Sequence, residues 1–345
     1  MFMVIIQDDR DERYVAPKSI GDKVRAILDI GDEKTGSKSR QEFIRINSDR
    51  LLENGFLSLQ STKVANYDMG LAAYAGRHKF IKLYRSKNTI PDNVNLDEFI
   101  ENGIASEIKG SESHTVIFSF EGLMGLRQDE IKKLISMLKR YFSEILVIGF
   151  IKRQDKWAVS AYTTRLINFN VTTRNIFYFF YLIPVGRNYF KALKNWRKFI
   201  EKENITFIDY DKCSDVVKTF SEVAGMPDGL VFGESRRNPS MSALGVEILR
   251  RFNKDLSGSE KYKDRVVQVK RRIRECYIGS PYLPSKSEAQ KLFQRFSRSN
   301  KKLADALGSK EKYFFDEDFS RYPDNPSRID LTLDEVENYI NKALE

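Results

Sequence analysis

The sequence predicts an α/β protein of three layers, in which helices cover both faces of a central, mainly parallel sheet. Two observations support this prediction. Short apolar runs of strand length alternate along the chain with amphipathic helical stretches, which is the order typical of parallel sheets. In addition, 41% of the 345 residues are hydrophobic, enough to bury one large core. We therefore expect one α/β domain over residues 21–325, after an irregular lead-in at 1–20 and before a C-terminal helix at 326–345.

The candidate elements follow one another in a regular order. Five apolar runs are predicted strands, and they cover residues 23–30, 54–59, 114–119, 144–151 and 205–209. Helical periodicity predicts the helices, over residues 40–52, 66–84, 96–104, 129–142, 189–201 and 243–252. Residues 255–300 are polar, basic and helical, and we expect them to pack on the outside of the core. A parallel sheet would bring the carboxyl ends of its strands, and any ligand site, to one edge.

The loop after the first strand has the composition of an anion site. Gly31 and Gly36 bracket a tight connection, and Ser37 or Ser39 can cap the helix that follows. Such a loop directs backbone N–H groups and a helix N-terminus at one point, where Lys34 adds a positive charge. Phosphate and sulfate are the usual ligands there. The spacing differs from the G-x-x-x-x-G-K-[ST] of nucleotide triphosphatases, and a solvated turn is the alternative interpretation of this loop alone.

Composition and charge restrict the remaining function classes. The net charge of +10 favours polyanions or a multiply charged nucleotide as ligands, although no specific nucleic-acid-binding motif accompanies it. Two histidines exclude a multi-histidine metal site, and the two cysteines lack metal-ligand spacing. Residues 1–20 lack the apolar stretch of a signal peptide, so we expect a cytoplasmic protein. The longest apolar run, residues 176–185, is too short to cross a bilayer. It predicts a core helix or a cleft wall, with contact to an anionic or membrane surface as the alternative.

The stretch Ile30-Gly-Asp-Glu-Lys-Thr-Gly-Ser-Lys-Ser39, read with two later segments, resembles the donor loop of bacterial carbohydrate-type sulfotransferases. These enzymes transfer a sulfuryl group from 3′-phosphoadenosine 5′-phosphosulfate (PAPS) to an acceptor hydroxyl or amine. Their loop typically runs I-G-x-x-K-T-G-T-T-S. The resemblance covers about residues 23–320 and implies a P-loop-like fold. It also implies a set of loop residues that bind the phosphosulfate: Lys34, Thr35, Gly36, Ser37, Lys38 and Ser39.

The two later segments imply a site for the 3′-phosphate of the donor. In the family a strand ends in Arg, and a Ser follows eight residues later on the next helix. Here Lys152 and Arg153 follow the fourth apolar run, and Ser160 lies eight residues after Lys152. Either cation can replace the family arginine, although lysine cannot form its two-point contact with phosphate. An N-x-S-x-S segment further along, with basic residues upstream, adds two candidates for the same phosphate or for an anionic acceptor: Arg236 and Arg237.

Sulfuryl transfer passes through a charged, roughly in-line transition state, so catalysis depends on positioning and positive charge. Lys34 is the candidate for that charge. Relatives place a His or a Glu as general base at the end of the strand between the donor loops. Glu121 follows the third apolar run at that point and is the first candidate, with Asp68 as the second. The resemblance implies no metal.

The resemblance thus implies a PAPS-dependent sulfotransferase that acts on a glycan or another hydroxylated acceptor. Two other classes stay open. One is a nucleotide-dependent phosphotransferase with a similar anion loop, which the absent triphosphatase spacing disfavours. The other is a non-catalytic, sulfotransferase-like protein that binds an anion or nucleotide. Lys38 and Lys152 keep that class open, because both depart from the family pattern at donor positions.

Overall fold

A parallel sheet of five strands organises the part of the chain that the computed structural model describes, residues 24–59, 67–168, 187–232, 240–327 and 329–345. The strands run in the order β2-β3-β1-β4-β5, and every neighbouring pair is parallel. Their bounds are β1 Arg25–Asp29, β2 Phe56–Ser58, β3 Thr115–Ser119, β4 Glu144–Ile151 and β5 Ile205–Asp209. This arrangement confirms the predicted central parallel sheet.

Strand β1 lies at the centre of the sheet, between β3 and β4. Its Ile27 pairs with Ile117 of β3 on one side and with Leu146 of β4 on the other. Successive side chains of a strand point to opposite faces. Accordingly, Ala26 and Leu28 belong to the larger of two core clusters, whereas Ile27 belongs to the smaller. Because both faces are buried, the strand reads in the sequence as a continuous apolar run.

Helices cover both faces of the sheet and complete the three layers. Thirteen α-helices lie within the described residues: α1 Ser37–Ile46, α2 Ser48–Glu53, α3 Tyr67–Tyr74, α4 His78–Asn88, α5 Leu96–Lys109, α6 Gln128–Leu138, α7 Gln154–Asn168, α8 Tyr189–Trp196, α9 Val216–Ala224, α10 Ala243–Arg251, α11 Val266–Cys276, α12 Lys286–Ala306 and α13 Leu333–Leu344. Helices α1 and α9 pack on the smaller core through Phe43 and Phe220. None of the helices in these residues has the length and apolar character needed to cross a membrane.

Two predicted helices are each divided in two, and local chemistry explains both breaks. The predicted helix 40–52 is interrupted at Asn47, whose amide donates to the Phe43 carbonyl and both donates to and accepts from the Val231 backbone. The predicted helix 66–84 ends at Tyr74 and resumes at His78, because Gly76 takes a left-handed φ of 95°.

The basic region predicted over residues 255–300 contains helices α11 and α12. Both bury one apolar face in the larger core, through Val269 and Ile273 in α11 and through Leu292 and Phe293 in α12. The predicted C-terminal helix is present as α13. The predicted lead-in at 1–20 and the apolar run at 176–185 lie outside the described residues.

The chain order of the strands places a topological switch at β1. The chain passes from β1 to β2 and β3 on one side and then crosses to β4 and β5 on the other. In open parallel sheets, ligands bind at the carboxyl ends of the strands beside such a switch. The Gly31–Ser39 loop leaves β1 at that point.

Candidate functional site

The loop after β1 is held to the sheet at its start and turns sharply at its end. The N–H groups of Ile30 and Asp32 donate to the carbonyls of Ile148 and Phe150 in β4, at 2.9 and 2.7 Å. Lys34 then takes a left-handed φ of 70°, which is unusual for a residue with a side chain. Helix α1 begins directly afterwards, so its first backbone N–H groups face the inside of this turn.

Both glycines of the loop are required by close contacts. A Cβ at Gly31 would lie 2.3 Å from an Arg40 guanidinium nitrogen. Gly36 has φ 76° and its Cβ would lie 3.0 Å from Val216 and 3.2 Å from Tyr210. The first glycine therefore makes room for an ion pair, and the second allows the loop to turn into α1 against α9.

A buried ion pair fixes the base of the loop. Arg40 of α1 contacts both carboxylate oxygens of Asp29, at 2.8 and 3.0 Å, and donates to the Thr35 carbonyl at 2.6 Å. The Ser119 hydroxyl, at the end of β3, donates to the same carboxylate at 2.7 Å. One cluster thus joins the ends of β1 and β3 to the loop and to α1. Asp29 therefore has a structural role at the base of the loop.

A second cluster anchors the middle of the loop. Arg187 pairs with Asp32 at 3.0 Å and with Glu33 at 2.6 Å, and its guanidinium lies 3.9 Å from the centre of the Trp157 ring. The Tyr189 hydroxyl donates to Asp32 at 2.9 Å. Burial raises the pKa of Asp32 to about 6, against the opposing effects of Arg187 and Tyr189. The two residues before Lys34 are therefore held in place by groups from a distant part of the sequence.

Lys34 points into a cavity that the sheet edge shares with helices α7 and α11. The cavity has a volume of about 290 Å³. Six cationic side chains line it, together with hydroxyl and apolar groups. The full lining is Lys34, Lys38, Lys152, Lys156, Val159, Ser160, Thr163, Thr164, Ile167, Ser240, Met241, Arg274, Pro281 and Arg321. We call it the basic cavity.

Positive charge in the basic cavity exceeds the negative charge beside it. Asp211 lies 3.5 Å from both Lys152 and Lys156, and Asp316 lies 3.5 Å from Lys156. The other four cations of the lining have no carboxylate within ion-pair distance in the described parts of the chain: Lys34, Lys38, Arg274 and Arg321. Such an excess of fixed cations attracts a multiply charged anion.

Burial in the cavity lowers the pKa of two of its lysines. For Lys34, the positive charges of Lys38, Arg274 and Lys152 also lower the pKa, whereas the negative charge of Glu33 raises it. Burial likewise lowers the pKa of Lys152, while Asp211 opposes it. Burial and neighbouring positive charges disfavour the protonated amines. A bound anion would therefore stabilise the protonated forms of Lys34 and Lys152.

Four predicted donor-site residues meet in the basic cavity: Lys34, Lys38, Lys152 and Ser160. Ser160 lies on α7, on one face with Lys156, Thr163 and Thr164, at the spacings that align side chains along a helix. Lys34 comes from the loop, Lys38 from the first turn of α1 and Lys152 from the end of β4. The loop and the β4–α7 unit, distant in sequence, thus contribute to one cavity.

Other predicted residues lie elsewhere. Arg153 is buried, where it pairs with Asp155 and Asp316 and stacks on the Phe319 ring at 4.4 Å. Of the two alternatives at the strand end, Lys152 reaches the cavity and Arg153 does not. Thr35 is buried and donates its hydroxyl to the Asp32 carbonyl.

The remaining loop residues do not line the cavity with their side chains. Ser37 is buried at the start of α1, Ser39 is half-buried two residues later in the same turn, and Gly36 is the residue before the helix. Arg236, Arg237 and the side chain of Asp68 lie outside the described residues. Ser240, the first serine of the predicted N-x-S-x-S segment, does line the cavity.

Three cations of the cavity were not singled out as site residues from the sequence. Lys156 precedes Ser160 by one helical turn, so the helical period alone could have indicated it. Arg274 stands within a basic cluster that the sequence shows plainly, but nothing there links it to the loop. For Arg321 the sequence carries no comparable signal.

Glu121 follows β3 at the same sheet edge, in a short 3-10 turn. It is half-buried, and the Gln41 amide lies 3.4 Å from its carboxylate while donating to the Ser119 carbonyl at 2.9 Å. Since Gln41 is on α1 and Ser119 bonds Asp29, the carboxylate lies close to the base of the loop. No group of three or more metal-ligating side chains occurs among the described residues.

Comparison with known proteins adds one relative. No protein-family model matches the chain. The chain is 27% identical over 244 residues to a protein of Archaeoglobus fulgidus described as uncharacterized. The match covers 67% of this chain and 65% of that protein. The chain therefore spans about two thirds of its relative's length, and the relative assigns neither family nor function.

Proposed function

We propose that this chain is a sulfotransferase that takes PAPS as donor and transfers its sulfuryl group to a hydroxyl or amine of a carbohydrate-type acceptor. One observation carries the proposal: Lys34 and Lys38 of the loop line the same cavity as Lys152 and Ser160. The resemblance to sulfotransferases assigns these two segments to opposite ends of one donor. A cavity rich in unpaired cations suits such a ligand, which carries phosphate at both ends.

In the proposed complex, Lys34 and the first N–H groups of α1 bind the 5′-phosphosulfate. Lys152 and Ser160 bind the 3′-phosphate, and Lys156 and Arg274 add positive charge around it. Transfer breaks the bond between sulfur and the phosphate oxygen, whose electron pair leaves with the bisphosphate. The acceptor oxygen bonds to sulfur and gives its proton to Glu121. Lys34 stabilises the charge that develops on the departing phosphate.

The decisive test is calorimetry with adenosine 3′,5′-bisphosphate, the product that the donor would leave, against ATP. The proposal predicts that the bisphosphate binds more tightly, since only it carries a phosphate at the 3′ position. Preferred binding of ATP would support the phosphotransferase, and no binding of the bisphosphate would refute the donor site.

A non-catalytic role has one observation in its favour. Lys152 already pairs with Asp211, so part of its charge is neutralised where the family carries an arginine. A turnover assay with PAPS and a panel of mono- and oligosaccharides separates the two roles. Bisphosphate binding without any sulfated product across the panel would favour the binding protein.

A further inference from the structure

A second basic groove lies on α12, beside the loop anchor and separate from the basic cavity. Its volume is about 560 Å³. It is lined by Asn188, Phe190, Arg295, Phe296, Arg298, Ser299 and Lys302. We call it the α12 groove. It shares no lining residue with the basic cavity.

The α12 groove is strongly positive. Arg295, Arg298 and Lys302 follow one another at spacings of three and four residues, so they share one face of the helix over roughly 10 Å. All three are exposed. No carboxylate occurs in the lining, and within the described chain none pairs with Arg298 or Lys302. The exposed, unpaired charges of Arg298 and Lys302, four residues apart, fit a ligand with repeated negative charges.

The groove lies next to the segment that anchors the loop carrying Lys34. One of its lining residues, Asn188, directly follows Arg187, which pairs with Glu33 at 2.6 Å. Gln154 fixes this junction, because its amide nitrogen lies 3.2 Å from the Arg187 carbonyl and 3.0 Å from the Asn300 side-chain oxygen. A ligand in the α12 groove would therefore lie beside the segment that anchors Glu33, the residue before Lys34.

The aromatic rings of the groove favour a sugar chain over a nucleic acid. Single-stranded nucleic acids bind by stacking bases on open ring faces. Phe296 is only 7% exposed, and the Lys302 ammonium lies 5.8 Å from the centre of the Phe190 ring. Phe296 is thus largely buried and one face of Phe190 is covered by Lys302, so the described part of the groove lacks open stacking platforms for bases.

We propose that the α12 groove binds an acidic polysaccharide, whose carboxylates pair with Arg298 and Lys302, and directs it as acceptor towards Lys34. This inference rests on the proposed sulfotransferase function and specifies its acceptor. The chain of a polyuronate offers both features that the groove requires, repeated carboxylates and free hydroxyl groups.

The test measures binding of a fluorescently labelled hexamer of galacturonic acid by anisotropy, with saturating adenosine 3′,5′-bisphosphate present to occupy the basic cavity. The neutral comparison is maltohexaose with the same label. We expect only the acidic hexamer to bind, and we expect added salt to weaken its binding. Combined Arg298→Ala and Lys302→Ala substitution should weaken binding about tenfold.

Lys301→Ala is the matched control. Lys301 is exposed and adjacent in sequence, but it lies about 100° around the helix and does not line the groove. Its variant should bind the acidic hexamer like the wild type. Equal losses in both variants, or equal binding of maltohexaose, would overturn the proposal. Tighter binding of single-stranded DNA or of phosphatidylglycerol vesicles, lost in the same double variant, would overturn it in favour of another partner.

Calorimetry with the bisphosphate on the same double variant tests the α12 groove separately from the proposed donor site. The variant should bind the bisphosphate normally, because neither residue lines the basic cavity. If the wild type binds the acidic hexamer as predicted but never the bisphosphate, the groove is retained and the donor assignment fails. If the bisphosphate binds and the hexamer does not, the groove fails alone.

Discussion

Arg40 and Asp29 form a two-point ion pair at the carboxyl end of β1, with both side chains at most 1% exposed. The pair connects a helix to the central strand, while Arg40 also holds the Thr35 carbonyl and lies 4.2 Å from the centre of the Phe150 ring. Ser119 and the Gly31 N–H complete the hydrogen bonds of the carboxylate. The position of Lys34 therefore depends on this pair, because the loop leaves the sheet at Asp29 and enters α1 three residues before Arg40.

Removing one charge of this pair should destabilise the protein strongly. Asp29→Asn would leave the Arg40 guanidinium buried without a counter-charge, which costs about 3–5 kcal/mol of unfolding free energy. Urea denaturation measures the loss. The matched control is Arg45→Ala, which breaks a pair with Glu42 whose side chains are 63% and 56% exposed, and should cost less than about 1 kcal/mol. Equal effects of the two substitutions would contradict the proposed role of the pair.

Two substitutions separate the effect of the Lys34 backbone conformation on stability from the effect of its charge on ligand binding. Both Lys34→Gly and Lys34→Ala remove the ammonium and should abolish most bisphosphate affinity. Only glycine relieves the left-handed backbone, which costs other residues about 1–2 kcal/mol, against glycine's own entropic cost of about 0.5–1 kcal/mol. The glycine variant should therefore be roughly 1 kcal/mol more stable in urea than the alanine variant. Retained bisphosphate binding in both variants would remove Lys34 from the donor site.

Anion binding in the basic cavity should take up protons. In the free protein, burial lowers the pKa of Lys34 and of Lys152, so part of each is neutral at alkaline pH. A bound phosphate favours the protonated amine and raises both values. Calorimetry at pH 9 in two buffers of different ionisation enthalpy should show net proton uptake, and affinity should fall as pH rises further. Lys152→Gln should reduce the uptake, whereas proton release in the wild type would contradict the mechanism.

The sheet was predictable from the sequence because its central strands are buried on both faces. Strands β4 and β5 have the bounds that the apolar runs predict, at 144–151 and 205–209. The loop was equally visible, since glycine, lysine and hydroxyl residues cluster at one strand end. Both features depend on residues that are adjacent in sequence, so a single sequence is enough to predict them.

The composition of the site was less predictable, because it depends on side-chain direction and on distant segments. Lys152 and Arg153 are both cations, and only the alternation of successive side chains at the end of β4 sends one to the cavity and the other to Asp155. Arg274 and Arg321 reach the cavity through tertiary packing. No local sequence pattern predicts that these two residues lie in the same cavity as Lys34.

A buried carboxyl at the end of β5 should make stability depend on pH. Burial raises the pKa of Asp209 to about 6, and its Oδ2 accepts no hydrogen bond from the described residues. Between about pH 4 and 6, Asp209 keeps its proton in the folded state but has lost it in the unfolded state. Rising pH therefore destabilises the protein in that range. Asp209→Asn keeps the acceptor for the Asp211 N–H and removes this effect.

The Asp209→Asn variant should therefore gain stability relative to the wild type as pH rises from 4 to 7.5. A shift of about two pKa units corresponds to a gain of up to about 3 kcal/mol. Urea denaturation at the two pH values gives the difference. Asp228→Asn, at an exposed position, provides the control and should show no comparable gain. A constant difference between Asp209→Asn and wild type at both pH values would show that Asp209 is not the group responsible.

Glu121→Gln tests the mechanism most directly. The substitution removes the proposed base but keeps a side-chain oxygen beside the Gln41 amide, whose main contact is with the Ser119 carbonyl. The variant should bind adenosine 3′,5′-bisphosphate like the wild type, since Glu121 does not line the basic cavity. Its turnover with PAPS should fall by about 10²–10⁴-fold, the usual loss for a general base. Unchanged turnover would transfer the role to Asp68 or to no protein base, and loss of bisphosphate binding would show that Glu121 supports the loop instead.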